Sequence, residues 1–217
     1  MEEDSNIDIK TQLVEGYLKH LLRQGKPPVT VFRFCDDLGV EEPEFYNHFP
    51  SFKSLEKSIW TSFFTNVNDV LSGDENYPHY SVYEKWLSFM YTVLEEFKGN
   101  RSLVVLRCSD LDIKDLNPWF LSGLRALLGE YAKDLINSGL ETDEIATRPI
   151  ITAKYNEVLW FQFLYVLRVW INDESEDFQV TDAAVEKSSA LLFEMMKKGP
   201  VDLLIDFGKF IYQNKAY

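Results

Sequence analysis

Two short runs of helical periodicity meet at Gly39, and that junction constrains the fold more than any other stretch of the chain. Thr30 supplies a hydroxyl suited to a helix start, where orphan backbone N–H groups need an acceptor. Val31, Phe34, Cys35 and Leu38 follow at helical spacing and give one apolar face over two turns. Gly39 then offers the left-handed conformation that ends a helix at little cost. After Val40 and a polar gap, Phe45, Tyr46 and Phe49 form a second short apolar set that Pro50 closes. A helix, a glycine turn and a second short helix define a helix-turn-helix.

Around this unit every periodic segment is helical, and no strand-length alternation bounded by turn signals occurs. A first helix is predicted over Ile7–Gln24, with Ile9, Leu13, Tyr17, Leu18 and Leu21 inward. Ser51 or Ser54 opens a long helix through Leu55, Ile59, Phe63, Val67 and Val70, which fades at Ser72-Gly73. The loop Gly73–Ser81 is the clearest break in composition. Beyond it, helices are predicted over Val82–Phe97, Arg101–Leu111, from an Asn117 cap to Gly139, from Pro149 through Trp170, from a Thr181 cap to Lys198, and over Val201–Gln213. The chain reads as all-α.

The pattern Phe34-Cys35, Leu38-Gly39-Val40, Phe45-Tyr46, His48-Phe49-Pro50-Ser51 and Leu55 resembles the N-terminal domain of the tetracycline-repressor (TetR) family of regulators. The match covers roughly the first 60 residues. The resemblance implies that the second short helix reads DNA, and that an aromatic pair locks it onto the first and fourth helices. It also implies two parts: a DNA-binding-like domain over residues 1–55 and a helical ligand-binding and dimerisation domain over 56–217. On this pattern the DNA contacts fall to Thr30, Arg33, Tyr46, His48, Lys53 and Lys57, mostly through phosphates.

Charge departs from the family pattern. Where members usually carry small, hydroxyl or basic residues in the recognition helix, this chain has Glu41, Glu42, Pro43 and Glu44, and Phe52 takes the place of a lysine after Pro-Ser. Between Arg33 and Lys53 there is no lysine or arginine, while Asp36, Asp37, Glu41, Glu42 and Glu44 carry negative charge. Residues 1–60 hold 7 basic and 11 acidic side chains, and the whole chain has a formal charge of −13. Phosphate neutralisation supplies much of DNA affinity, so these carboxylates oppose operator binding. They do suit a helix N-terminus, where the macrodipole favours anions.

The segment Val158–Leu167 is apolar nearly all round, interrupted by Gln162. A helix without a polar face must be covered on every side. A partner subunit provides that cover in the TetR family, whose late helices form a four-helix dimer bundle, so a homodimer is expected; a fully internal helix is the alternative. The run is about half the length needed to cross a bilayer, and stable membrane insertion is not expected. The same resemblance implies a cavity for a small hydrophobic ligand or lipid, lined by Trp86, Phe89, Met90, Phe120, Leu124, Trp160 and Phe163, residues that equally suit an ordinary core. Trp170, Asp173, Ser175, Asp177, Phe178 and Thr181 resemble a stretch in the lipid-binding accessory proteins of ubiquinone biosynthesis that share this fold and lack DNA activity; a plain polar turn fits them as well. In the last helix Asp202, Asp206, Lys209 and Gln213 make a narrow polar stripe, leaving Leu203, Leu204, Phe207, Phe210 and Ile211 for dimer packing or for lipid.

No catalytic pattern is present. His20, His48 and His79 have no partners at metal-ligand spacing, the glycines form no phosphate loop, and the adjacent acidic pairs point apart on a helix. Neither a metal nor a cofactor is expected. Cys35 and Cys108 sit in apolar helical patterns and read as buried thiols of a reducing cytosol, and the acidic N-terminus has no signal-peptide core. A cytoplasmic protein is expected.

Overall fold

The structure, a computed structural model, describes residues 8–111, 114–148 and 151–214. All regular elements among them are helical: α1 (Ile9–Gln24), α2 (Val31–Leu38), α3 (Glu42–His48), α4 (Phe52–Ser72), α5 (Val82–Gly99), α6 (Arg101–Cys108), α7 (Ser122–Glu141), α8 (Tyr155–Ile171), α9 (Gln179–Met196) and α10 (Pro200–Gln213). The chain forms two compact units, one of residues 1–66 and 95–127, the other of residues 67–94 and 128–217. The helices α4, α5 and α7 each contribute residues to both.

In the first unit, Leu13, Tyr17 and Leu21 form the buried stripe of α1, while Phe34, Cys35, Phe45, Phe49 and Leu55 complete the core around it. Aromatic packing extends this core along α4. Trp60 lies 5.5 Å from Phe63, 6.0 Å from Phe97 and 5.0 Å from Phe120, ring to ring, in the edge-on and tilted geometries that aromatic quadrupoles favour. One carboxylate is sunk among these side chains. Glu56 is fully buried, accepts a 2.6 Å bond from the Tyr17 hydroxyl and pairs at 2.6 Å with Arg107 Nε. It ties α1, α4 and α6 together.

The second unit is built on α8. Tyr155, Leu159, Trp160, Phe163, Leu164, Val166, Leu167 and Trp170 are all buried. The lone polar residue of the apolar run, Gln162, is buried too and fully used. Its Oε1 accepts from Trp86 Nε1 at 2.9 Å, and its Nε2 donates to Ser188 Oγ at 2.8 Å and Ser189 Oγ at 2.7 Å.

Several helix limits and faces differ from expectation. Val70 is 62 % exposed; Leu71, four residues after Val67, continues the buried row of Leu55, Ile59, Phe63 and Val67 instead. Arg101 opens α6 as expected, but the helix closes at Cys108 rather than Leu111. Asn117 does not cap α7. Pro118 is extended (φ −55°, ψ 127°), a 3-10 turn fills Trp119–Leu121, and the α-helix starts at Ser122. The expected start of α1 at Ile7 and of α8 at Pro149 lie outside the described residues; α8 itself begins at Tyr155, behind a 3-10 turn at Thr152–Lys154.

Gly139 does not end α7, which continues to Glu141. The glycine serves close approach instead: a Cβ there would stand 2.7 Å from Ile145 Cδ1 and 3.2 Å from Val82 Cγ1. Gly139→Ala is therefore expected to destabilise by about 1–3 kcal/mol through overpacking, despite alanine's better helix propensity. A stability gain in urea unfolding would contradict this.

Thr181 does not cap α9 either. The helix begins at Gln179, and Thr181 is a buried residue of its first turn. The cap comes from Asp173. Its Oδ2 accepts from Thr181 N (2.8 Å) and Oγ1 (2.6 Å), and its Oδ1 from Ser175 N (2.9 Å) and Oγ (2.6 Å). Between these anchors Asp177 and Phe178 are left-handed (φ 50° and 59°), a conformation uncommon outside glycine, with the Phe178 ring stacked 6.1 Å from Trp170. Burial acts to raise the Asp173 pKa, but the bonds from Ser175 and Thr181 outweigh it and hold the carboxyl well below the usual range. A group more acidic folded than unfolded stabilises the fold above its unfolded value and loses that contribution as pH falls toward its folded one. Asp173→Ala should thus flatten the acid limb of the stability–pH profile below about pH 4; an unchanged limb would contradict the assignment.

Candidate nucleic-acid interface and ligand-binding region

The helix-turn-helix is assembled by short-range chemistry. Thr30, in an extended conformation, accepts from Arg33 N through its Oγ1 at 3.3 Å and so starts α2. Gly39 is left-handed (φ 67°), and the amides of Gly39 and Val40 return to the carbonyls of Asp36 and Cys35 at 3.1 and 3.0 Å. Pro43 sits in the first turn of α3 with Glu42 and Glu44, where a fixed φ and negative charge both favour a helix start. Glu42 also faces Cys35: burial first, and then this carboxylate, push the thiol pKa up.

Rings hold α3 in place. Phe45 is fully buried and lies 6.2 Å from Phe34, 6.0 Å from Phe49 and 5.2 Å from Phe52. Phe52 in turn packs 5.3 Å from Phe34 and stacks 5.7 Å from Tyr17. The residue that stands in place of the family's lysine is thus a structural ring joining α1, α2, α3 and α4.

The residues expected to face DNA are outward. Thr30, Arg33, His48, Lys53 and Lys57 are exposed, and Tyr46 is 52 % exposed. Two of them have other engagements: the Thr30 hydroxyl is committed to the cap, and Lys53 Nζ lies 5.6 Å over the Trp119 ring, which Arg107 also approaches at 5.6 Å. The same surface carries Asp36, Asp37 and Glu41 exposed and Glu42 and Glu44 half-exposed, with Glu44 accepting from Asn47 at 3.3 Å. Val29 and Phe32 are exposed as well, at 81 % and 63 %.

All seven residues expected to line a cavity are buried. Trp86, Phe89, Met90, Trp160 and Phe163 belong to the second unit, whereas Phe120 and Leu124 belong to the first. Trp86 stacks 5.4 Å from Phe89, Phe89 stacks 5.0 Å from Tyr131, and Trp160 stacks 5.4 Å from Phe163. Two hollows of the second unit lie elsewhere. One, of about 440 Å³, is bordered by Lys133, Ile136, Asn137, Thr147, Thr152 and Asn156. The other, of about 560 Å³, has Val70, Leu71, Leu87 and Tyr91 on its walls and Asp74 and Glu84 beside them. None of the seven expected residues borders either one. Among the described residues no three His, Cys, Asp or Glu side chains gather as a metal site, and no helix is long and apolar enough to cross a membrane.

Arg148 went unnoticed in the sequence because a single arginine in a polar stretch has no pattern. Its side chain is 4 % exposed. Nε and Nη2 grip both oxygens of Asp202 (2.8 and 2.9 Å), Nη1 donates to the Tyr155 hydroxyl (2.7 Å) and Met195 O (2.8 Å), and Nη2 donates to Lys197 O (2.6 Å). The bond to Asp202 leads in pushing the guanidinium pKa up, and the same contact holds the Asp202 carboxyl low.

An all-α chain with an N-terminal helix-turn-helix and a long C-terminal helical part has the architecture of a transcription regulator. Residues 85–211, more than half of the chain, match the family of tetracyclin repressor-like C-terminal domains. The chain belongs to the TetR family. Solved structures share the fold. A protein from Shewanella sp. PV-4 assigned to the TetR family of transcription regulators superposes with a TM-score of 0.59 at 17 % identity, over 87 % of this chain and 98 % of that one. The fatty acid degradation regulator FadR from Bacillus halodurans gives 0.57 at 16 %, over 84 % and 96 %. A protein of unknown function from Rhodococcus sp. RHA1 gives 0.59 at 10 %, over 91 % and 100 %. No curated protein matches the sequence.

Proposed function

We propose that the protein is a dimeric, cytoplasmic, ligand-responsive regulator whose helix-turn-helix holds DNA weakly, through few phosphate contacts. The carrying observation is the division of labour in residues 30–57: the rings of Phe34, Phe45, Phe49 and Phe52 are spent on the core, while Arg33, Tyr46, His48, Lys53 and Lys57 point outward together. Three cations per subunit are outnumbered by five nearby carboxylates, so binding rests on the few phosphates those cations reach and is weak. The exposed apolar residues Phe161 and Tyr165 of α8 and Leu191 and Met195 of α9 support a homodimer through these helices. A hydrophobic ligand held in the second unit, by aromatic side chains of α5 and α8, would act by favouring one spacing of the two recognition helices through α4. No step of this reading is catalytic.

A second reading, a binding protein that kept the fold and lost DNA readout, is favoured by the acids of α3 and by Val29 and Phe32 exposed beside them. Charge reversal separates the two. With Glu41→Lys and Glu44→Lys combined, affinity for a duplex at about 50 mM salt is expected to rise at least tenfold, with the salt slope steeper by about 0.9 per added phosphate contact. Fluorescence anisotropy reads both quantities. Unchanged affinity would mean that this face does not meet DNA. Native mass spectrometry addresses the ligand: a co-purified hydrophobic mass supports it, and a clean apoprotein speaks against it.

A further inference from the structure

The outward side of α2 carries apolar surface that the fold does not use. Val29 is 81 % exposed, and Phe32, three residues on, is 63 % exposed. Val29 directly precedes the Thr30 cap, a position whose side chain commonly packs back on the one that Phe34 occupies; here it stays in water. Beside it a hollow of about 130 Å³ opens, bordered by Val29, Arg33 and Asp37 and, from α1, by His20. Scattered exposed hydrophobics are ordinary, but neighbours that flank a hollow form a patch.

The charge around this patch does not serve the helices. Residues 27–52 hold five carboxylates and one arginine, a net of −4. Glu42 and Glu44 suit the start of α3, but Asp36, one turn on from Phe32, and Asp37 lie in the last turn of α2. The macrodipole disfavours anions there, and no basic side chain of that turn offsets them. Exposed acids of other helices each pair with a lysine three positions on: Glu95 with Lys98, Glu130 with Lys133, Glu194 with Lys197 and Asp206 with Lys209. Three positions after Asp36, Asp37, Glu41 and Glu42 stand Gly39, Val40, Glu44 and Phe45, so no lysine answers these four.

Like charge excludes several occupants of the patch. The phosphates of a duplex and of an anionic membrane are repelled at it, and so is a second copy of a chain whose net charge is −13. A lone divalent cation is not served either, since no three His, Cys, Asp or Glu side chains among the described residues gather as a metal site. A partner that fits must bring cations and apolar side chains together, as a lysine- and arginine-rich amphipathic helix does. We propose that the outward face of α2 docks a basic amphipathic helix of another protein. The apolar side of that helix lies on Val29 and Phe32, and its cations face Asp36, Asp37, Glu41 and Glu42. Complementarity of this kind speeds encounter and fixes register more than it adds affinity, so the complex is sensitive to salt. Docking does not require DNA binding. Because Arg33 borders the same hollow, a docked helix covers one of the residues proposed for phosphate contact and so opposes a duplex.

The probe is a fluorescein-labelled peptide of about two heptads, with leucine at the first and fourth positions of each and lysine at the others. It is titrated with the full-length protein at about 50 mM salt and read by fluorescence anisotropy. Saturable binding is expected, weakened at least tenfold by Phe32→Ala and, separately, by Asp36→Asn with Asp37→Asn. Asp69→Asn with Glu75→Gln, which removes two exposed carboxylates of the second unit, should change it less than about twofold. Phe32, Asp36 and Asp37 are exposed, so these variants should keep the circular dichroism of the wild type, and the asparagine pair should melt no lower. Absence of binding overturns the proposal. An equal loss from the Asp69 and Glu75 changes also overturns it, because the peptide then follows the overall charge of the chain. In a parallel titration with a random duplex, Phe32→Ala that lowers duplex affinity and leaves the peptide untouched would assign the face to nucleic acid instead. No operator enters these titrations, so losing the docking site leaves the regulator reading standing, and losing DNA binding leaves the docking site.

Discussion

Glu56→Ala is expected to destabilise the protein by about 3–5 kcal/mol, because removing one member of a buried ion pair strands the other. Glu56 is fully buried, Arg107 keeps 19 % of its side-chain exposure, and the Tyr17 hydroxyl loses its acceptor at the same time. Burial first, and then the bond to Glu56, push the Tyr17 pKa far up, so the tyrosine remains a neutral donor that needs an acceptor. Glu56→Gln, which keeps an acceptor and loses the charge, should fall between wild type and alanine. The urea midpoint by circular dichroism measures the series. A loss under about 1 kcal/mol for alanine would mean that water replaces the carboxylate and that the site is less closed than its burial indicates.

Arg148→Met is the second large effect, expected at about 3 kcal/mol. Methionine can fill much of the volume but donates nothing, leaving the carbonyls of Met195 and Lys197 and the Tyr155 hydroxyl without the guanidinium. The consequence is local as well as global. With Asp202 released, the junction of α9 and α10 should open more often, and trypsin should cut at Lys197 and Lys198 faster than in the wild type. Unchanged proteolysis and an unchanged melting temperature would contradict the role given to Arg148.

These two residues also mark where the sequence stops being readable. The helix-turn-helix was legible because its signals are local: a hydroxyl at Thr30, a glycine at Gly39, and apolar residues stepping at helical intervals between them. The middle of α8, Val158–Leu167, was legible as apolar nearly all round, and Gln162 stood out as its one interruption. Glu56 and Arg107, or Arg148 and Asp202, lie some fifty residues apart, and nothing in a charged residue's neighbourhood announces a distant partner. Thr181 shows the opposite failure. It has the composition of a cap, yet Asp173, eight residues earlier, occupies that role once the intervening loop turns left-handed at Asp177 and Phe178. The aromatic side chains expected around a ligand are buried, but periodicity cannot distinguish a lined cavity from rings stacked on one another, and Trp86, Phe89 and Tyr131 are stacked.

Phe52 is the most instructive departure. Against the family pattern it takes the place of a lysine, and in the structure it is the ring on which Tyr17, Phe34 and Phe45 converge. One position therefore lacks a cation and supplies a ring at the centre of the helix-turn-helix core.

Selection from a pool of random duplexes at about 50 mM salt tests the central claim most directly, because phosphate attraction is strong there and no operator need be known. A dimeric regulator with outward Arg33, Tyr46, His48, Lys53 and Lys57 should enrich a twofold-symmetric sequence with half-sites about one helical turn apart. Recovery of no sequence above the starting pool, from protein that is folded and dimeric, would contradict DNA regulation and leave the binding-protein reading in its place.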